Sequence, residues 1–125
     1  METMNKKELV MRRKKTLNQY GIQGNYFARR AKNAIYFSPA NSWKHEMKKA
    51  EICYNLLKEK KQFITEAWHR RAKLRRDIVC LDDHTIYEIE TDPKRAERFK
   101  SDPMAEQIEV VLVDDDKSEG KENNM

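Results

Sequence analysis

Hydrophobic positions in this chain recur with two different periods, and each change of period marks an element. Between Trp43 and Lys60, Ala50, Cys53, Leu56 and Leu57 return at three- and four-residue intervals, while Lys48, Glu51, Asn55 and Lys58 fill the opposite side. That spacing predicts an amphipathic helix over 43–60. Asn41 or Ser42, just ahead of it, can cap its first turn. Gln62 to Ala67 reads as a strand, and His69-Arg70-Arg71 as a basic connection. Leu74–Leu81 and Thr85–Glu90 then read as two strands joined by a tight polar turn. On a period of two, Asp77, Val79 and Leu81 share one face and Ile78 and Cys80 the other. In the partner strand Ile86, Glu88 and Glu90 share a face, with Tyr87 and Ile89 on the reverse. Both faces carry apolar residues, which predicts a sheet covered on both sides in an α/β fold.

Beyond the paired strands, Asp92-Pro93 opens a predicted helix through about Lys100, with Asp92 as cap and Pro93 in the first turn. Ser101-Asp102-Pro103 ends it, and Ile108 to Val113 reads as a final buried strand. At the other end, residues 5–19 are helix-compatible but heavily basic, anchored only by Leu9, Val10, Met11 and Leu17. Gly21 and Gly24 mark a turn, Tyr26 to Tyr36 a second helix, and Ser38 to Ser42 a boundary. The reading is therefore a basic helical extension over 1–40, an α/β core with a small mixed sheet flanked by helices over 41–113, and a disordered acidic tail over 114–125.

Composition sharpens this. With 125 residues, 38% charged and 38% hydrophobic, there is room for one domain with a modest core. The net charge of +5 is uneven: the tail from Asp114 carries five acids against two lysines, and residues 1–36 hold nine Lys and Arg against two acids. An asymmetric basic body points to a polyanionic partner. Cys53 and Cys80 sit in apolar patterns and read as buried thiols. Neither a secretory signal nor an apolar run of membrane-span length is present, so the expected setting is intracellular and cytoplasmic, without a membrane partner. Three glycines leave no Gly-rich phosphate loop. His45, His69 and His84 have no zinc-ligand spacing with the cysteines. Trp43 and Trp68 are expected to pack.

The candidate chemistry lies in the acids of the paired strands. A two-residue turn at Asp82-Asp83 would set Asp77 opposite Glu88, and a four-residue turn opposite Glu90; a three-residue turn would put it on the wrong face. In either favourable register Asp77, Glu88 and Glu90 would converge. Clustered, partly buried carboxylates call for a cation, and hard oxygen ligands select Mg²⁺ or Mn²⁺ over zinc. The plainer reading makes these acids salt-bridge partners of Arg75, Arg76, Arg95 or Arg98.

The order helix, strand, Asp-bearing strand, Glu-x-x strand, helix, strand resembles the core of the PD-(D/E)XK nuclease superfamily, with a restriction-endonuclease-like fold. The residues that carry the resemblance are Asp77 in Arg-Arg-Asp-Ile-Val and Glu88-Ile89-Glu90 in Tyr-Glu-Ile-Glu-Thr, preceded by the 43–60 helix and Phe63-Ile64-Thr65-Glu66-Ala67. It covers roughly residues 43–113. It implies a Mg²⁺-dependent nuclease acting on DNA, with Mn²⁺ as a substitute and Asp77 and Glu88 as metal ligands. The carbonyl of Ile89 often joins such a pair. Glu90 stands where the superfamily commonly has Lys, and would serve as a further ligand or water-orienting base. Glu46, in line with Ala50 and Cys53, would be an outer acid; its plainer role is a first-turn acid complementing the helix dipole. In that superfamily a core this small often works as a homodimer. Phosphate contacts are expected from Arg12, Arg13, Lys14, Lys15, Arg29, Arg30, Lys94 and Arg95. The absence of Lys at position 90 supports an alternative, a DNA-binding protein that keeps the nuclease fold without cutting. A third class is a protein-interaction module whose acids pair with its arginines.

Overall fold

The computed structural model describes residues 4–25 and 28–114. Its elements are α1 (Lys6–Leu17), β1 (Tyr20–Gly21), α2 (Trp43–Lys58), β2 (Phe63–His69), β3 (Leu74–Cys80), β4 (Ile86–Glu90), α3 (Pro93–Ala96), short 3₁₀ turns at Glu97–Ser101 and Ala105–Gln107, and β5 (Ile108–Leu112). The strands form one sheet in the order β1-β2-β3-β4-β5, antiparallel at the first three junctions and parallel between β4 and β5. A parallel neighbour needs a crossover, which α3 and the 3₁₀ turns supply. The protein is thus α/β with a mixed five-stranded sheet.

Local chemistry sets the ends of α2. The Ser42 hydroxyl accepts the His45 N–H at 3.1 Å, relieving one of the first-turn donors. At the other end Lys60 takes a left-handed conformation, φ 63. The Lys61 N–H reaches the Leu56 carbonyl and the Lys60 N–H the Leu57 carbonyl, both at 2.9 Å, which is a Schellman closure. Asp92 caps α3 through the Lys94 N–H at 2.9 Å, with Pro93 in the first turn, as the sequence predicts.

Alternation along β3 divides the core between the two faces of the sheet. Ile78 and Cys80 pack with Phe63, Ile89 and with Cys53 and Leu56 of α2. Val79 and Leu81 pack with Ile64, Ile86 and Tyr20, over which lie Leu17 and Met104. Tyr20 is 1% exposed and belongs to β1, the edge strand paired to His69 and Trp68, so the N-terminal segment is stitched into the sheet.

Several expectations are corrected. No helix forms over the described residues 28–36 of the 26–36 span; Tyr26 and Phe27 lie outside the described residues. Instead Asn33 exchanges bonds with the Phe63 backbone, and the Thr65 hydroxyl links to the Ala34 carbonyl and Tyr36 N–H, all at 2.8–3.1 Å. β1 covers only one end of the β2 edge, and these contacts cover the other, which overrides helix propensity. Leu57 is 44% exposed, because the buried stripe of α2 runs through His45, Glu46, Lys49, Cys53 and Leu56. Val10 and Met11 are also exposed, leaving Leu17 as the anchor of α1 that packs on the core. His84, in the turn between β3 and β4, is half-buried between the Tyr20 hydroxyl at 2.7 Å and Gln107 at 2.9 Å. The predicted acidic tail lies outside the described residues except for Asp114.

Candidate functional site

The pairs Ile78↔Tyr87 and Val79↔Ile86 fix the β3–β4 register. Continued by one step, it sets Asp77 opposite Glu88, the alignment of a turn centred on Asp82-Asp83. Backbone pairing stops there, and the two acids take over. The Asp77 N–H donates to Glu88 Oε1 at 2.9 Å, and the Ile89 N–H donates to Asp77 Oδ2 at 2.8 Å. Each carboxylate thus accepts the backbone donor of the opposite strand. The strands are forked yet locked.

Glu88 is 5% exposed. Its other oxygen accepts from the Arg76 guanidinium at 3.2 Å, but Arg76 gives its shorter bonds, 2.8 and 2.7 Å, to Asp102. Burial, and then the adjacent Asp77 charge, push the Glu88 carboxyl up to about 7 despite Arg76. Asp102 is held below the usual carboxylate range, chiefly by its hydrogen bond from Arg76.

Behind the pair runs a chain of alternating charge. Glu66 faces Asp77 across β2–β3, between the pairs Thr65↔Ile78 and Ala67↔Arg76, and has a left-handed φ of 47. For a non-glycine residue that backbone costs on the order of 1–3 kcal/mol. It turns the carboxylate to the fully buried Lys49 ammonium at 3.1 Å, which also contacts Glu46 at 2.9 Å and the Tyr36 carbonyl at 3.0 Å. Glu46 continues to His45 Nδ1 at 2.7 Å, and His45 Nε2 stands 3.4 Å from Asp77 Oδ2. Burial opposes the charge on His45, but Asp77 and then Glu46 outweigh it and raise the imidazole above its ordinary value. Burial likewise works against the Glu46 charge; the Ser38 N–H, Lys49 and His45 nonetheless hold its carboxyl low.

Asp77, Glu88 and Glu90 line one cleft of about 570 Å³, with His45, Arg75, Arg95 and Arg98, and with 40–42 as a wall. Glu90 is committed elsewhere: one oxygen accepts the Thr91 and Asp92 N–H groups at 2.9 and 3.0 Å, the other holds Arg98 at 2.9 Å. Glu46 lies behind the cleft, connected to Asp77 only through His45. Of the expected phosphate-binding cations, Arg95 lines the cleft and Lys94 is exposed beside it. Arg13 instead forms a two-pronged pair with Asp82 at 2.8 and 2.9 Å, and Arg12 reaches the Asp82 carbonyl. By strand rise that is roughly 16 Å from Asp77. Lys14 and Lys15 are exposed at the end of the same helix. Arg29 bonds the Leu17 carbonyl, and Arg30 bonds the Glu66 carbonyl and stacks 4.4 Å over Tyr36.

Sequence reasoning missed His45 as a member of the site, and it read Arg75 and Arg98 only as salt-bridge partners. The one signal for His45 was its place beside Glu46 in the first turn of α2. Among the described residues no group of three or more His, Cys, Asp or Glu is arranged to hold a metal. With Glu90 engaged on both oxygens, the cleft leaves Asp77 and Glu88, and Mg²⁺ is commonly held by one or two carboxylates with waters and substrate phosphate completing its shell. Burial, and then the Asp77 charge, raise the Glu88 carboxyl, and a cation beside the pair would relieve that repulsion.

Comparison with protein-family models, with curated proteins and with solved structures returned no match. Among the described residues no helix is long and apolar enough to cross a membrane.

Proposed function

We propose that this chain is a Mg²⁺-dependent nuclease that hydrolyses phosphodiester bonds in DNA, built on a restriction-endonuclease-like core. The observation that carries the reading is the Asp77–Glu88 pair, locked across the β3–β4 fork in a cleft that Arg75, Arg95 and Arg98 also line. Asp77 and Glu88 would hold the ion, with Mn²⁺ as a substitute. When bound, it would polarise the phosphodiester and lower the pKa of an attacking water. Arg75 and Arg95 would receive phosphate oxygens, as guanidinium forks suit tetrahedral anions. Glu90, in the position where the resemblance expects Lys, holds Arg98 at the cleft. His45 braces the Asp77 carboxylate from the α2 side. The order α2-β2-β3-β4-α3-β5 supports the same reading.

A second reading, a DNA-binding protein that does not cut, has one observation in its favour. Both Glu90 oxygens are engaged, so no free base or ammonium stands at the third motif position. The test is cleavage of labelled linear, flapped and four-way-junction DNA with Mg²⁺ or Mn²⁺. Metal-dependent cleavage lost in Asp77→Asn and Glu88→Gln is expected. Binding without cleavage under every condition would overturn the nuclease reading in favour of the silent one.

A further inference from the structure

Two large aromatic side chains stand in water at either end of the segment that forms one wall of the cleft. Phe37 is 60% exposed and Trp43 is 74% exposed, where packing was expected of the tryptophan. Between them, Ala40, Asn41 and Ser42 line the cleft that holds Asp77 and Glu88. The segment is held in place from behind. The buried Glu46 carboxylate accepts the Ser38 N–H at 2.5 Å and the Asn41 side-chain amide at 3.4 Å, while the Asn41 N–H closes on the Ser38 carbonyl at 3.1 Å. Ser42 fixes the first turn of α2, on which Trp43 is the first residue. Both rings are therefore displayed on an ordered scaffold next to a cleft lined by arginines.

We propose that Phe37 and Trp43 are stacking platforms for unpaired nucleobases, so that the preferred substrate is a strand with single-stranded character at the cleft. This rests on the nuclease reading above. Arg75 and Arg95, both largely exposed and only loosely paired at 3.7 and 3.9 Å, would meet the strand's phosphates, while Arg98 is held by Glu90. Trp43 directly follows the cleft-lining Ser42, and Phe37 lies three residues before the cleft-lining Ala40, so the two rings flank the wall in sequence. A Watson–Crick duplex keeps its bases stacked inside and offers neither ring a face. Stacking contributes roughly a ten- to hundredfold gain in affinity per base.

The experiment is fluorescence titration of the full chain in a Trp68→Phe background, so that Trp43 is the single reporter. With no metal added, short oligo(dT) is compared with a blunt duplex of equal length. The expected result is quenching of Trp43 by oligo(dT) with affinity at least tenfold above the duplex. Phe37→Ala and, read by anisotropy of labelled DNA, Trp43→Ala should each lower the affinity for oligo(dT) by roughly threefold or more without changing that for the duplex, while Trp43→Phe keeps most of it. Both residues are at the surface, so circular dichroism should be unchanged. Equal affinity for both DNAs, or full affinity in Trp43→Ala, overturns the proposal. So does a Trp43 emission that changes with protein concentration alone as the chain sediments as a dimer. That result would give this face, which continues along α2 through the exposed Met47 and Tyr54, to a second copy. Cleavage of blunt duplex that is indifferent to Trp43→Ala would sink stacking but leave the nuclease. Quenching without any cleavage would sink the nuclease and leave stacking.

Discussion

Glu88→Gln isolates the charge stored at the fork. In the unfolded chain a glutamate loses its proton near 4.5, whereas the folded protein holds it to about 7. Between those values the folded state binds more protons than the unfolded one, so stability falls as pH rises. The contribution is fully present below pH 4.5 and is lost by the time pH passes about 7. A shift of that size corresponds to about 3 kcal/mol. Exposure of only 5% leaves little solvent screening to reduce it. Glutamine keeps the acceptor for the Asp77 N–H and loses the one for Arg76, a change in bonding common to both ends of the pH range. The quantity to measure is therefore the difference between variant and wild-type unfolding free energies at pH 8 minus that at pH 5, from urea denaturation. It should be about 2–3 kcal/mol in favour of the variant, since a little of the full shift already lies below pH 5. A difference that does not change with pH, or a variant relatively weaker at pH 8, would refute a Glu88 carboxyl raised by burial and by Asp77.

Two further outcomes follow from the surrounding charges. Arg76→Met leaves the nearly buried Asp102 and Glu88 without their shared cation and should cost about 3–5 kcal/mol at neutral pH by urea denaturation; a loss under ~1 kcal/mol would mean the pairs are not load-carrying. His45 should titrate above its ordinary value by NMR, because Asp77 and Glu46 face its two nitrogens. Its stabilising contribution is full below 6.5 and lost as pH rises through the folded value, and Asp77→Asn should lower the midpoint; an unmoved midpoint would exclude that contact.

The elements were legible wherever one period held. The α2 spacing, the Asp92-Pro93 start and the β3–β4 turn all follow from patterns that depend on near neighbours in sequence. Legibility fails where strands depart from period two. Ile64 and Ala67 share one cluster although they are three apart, because Glu66 is left-handed between them. Across the ladder Asp77 likewise leaves the Val79 face it was assigned and turns to His45 on α2. No local pattern announces such a break, since the partner that Glu66 meets there, the buried Lys49, lies on another element. The same holds for α2, whose first turns bury His45, Glu46 and Lys49 at positions that a hydrophobic pattern reads as polar surface. The basic N-terminal residues were visible as charge, but their destination was not: Arg13 is spent on Asp82 at the far end of the hairpin.

The division of α2 into two halves bears on what its charges are for. Cys53 and Leu56 already attach the helix to the sheet through Phe63, Ile78 and Ile89. Extending that apolar contact toward the first turn would hold the helix at least as well, because apolar replacements of buried ion pairs are often neutral or stabilising. The chain instead carries Glu66, Lys49, Glu46 and His45 in sequence toward Asp77, each bonded on both sides except Glu66, whose second oxygen is 3.7 Å from Arg75. Attachment alone does not require this arrangement. Its geometric consequence is that one carboxylate, Glu46, fixes the 38–41 wall through Ser38 and Asn41 and, through His45, the Asp77 carboxylate on the floor. Wall and floor are therefore tied to the same buried carboxylate, while the Ile89 N–H holds Asp77 independently from β4.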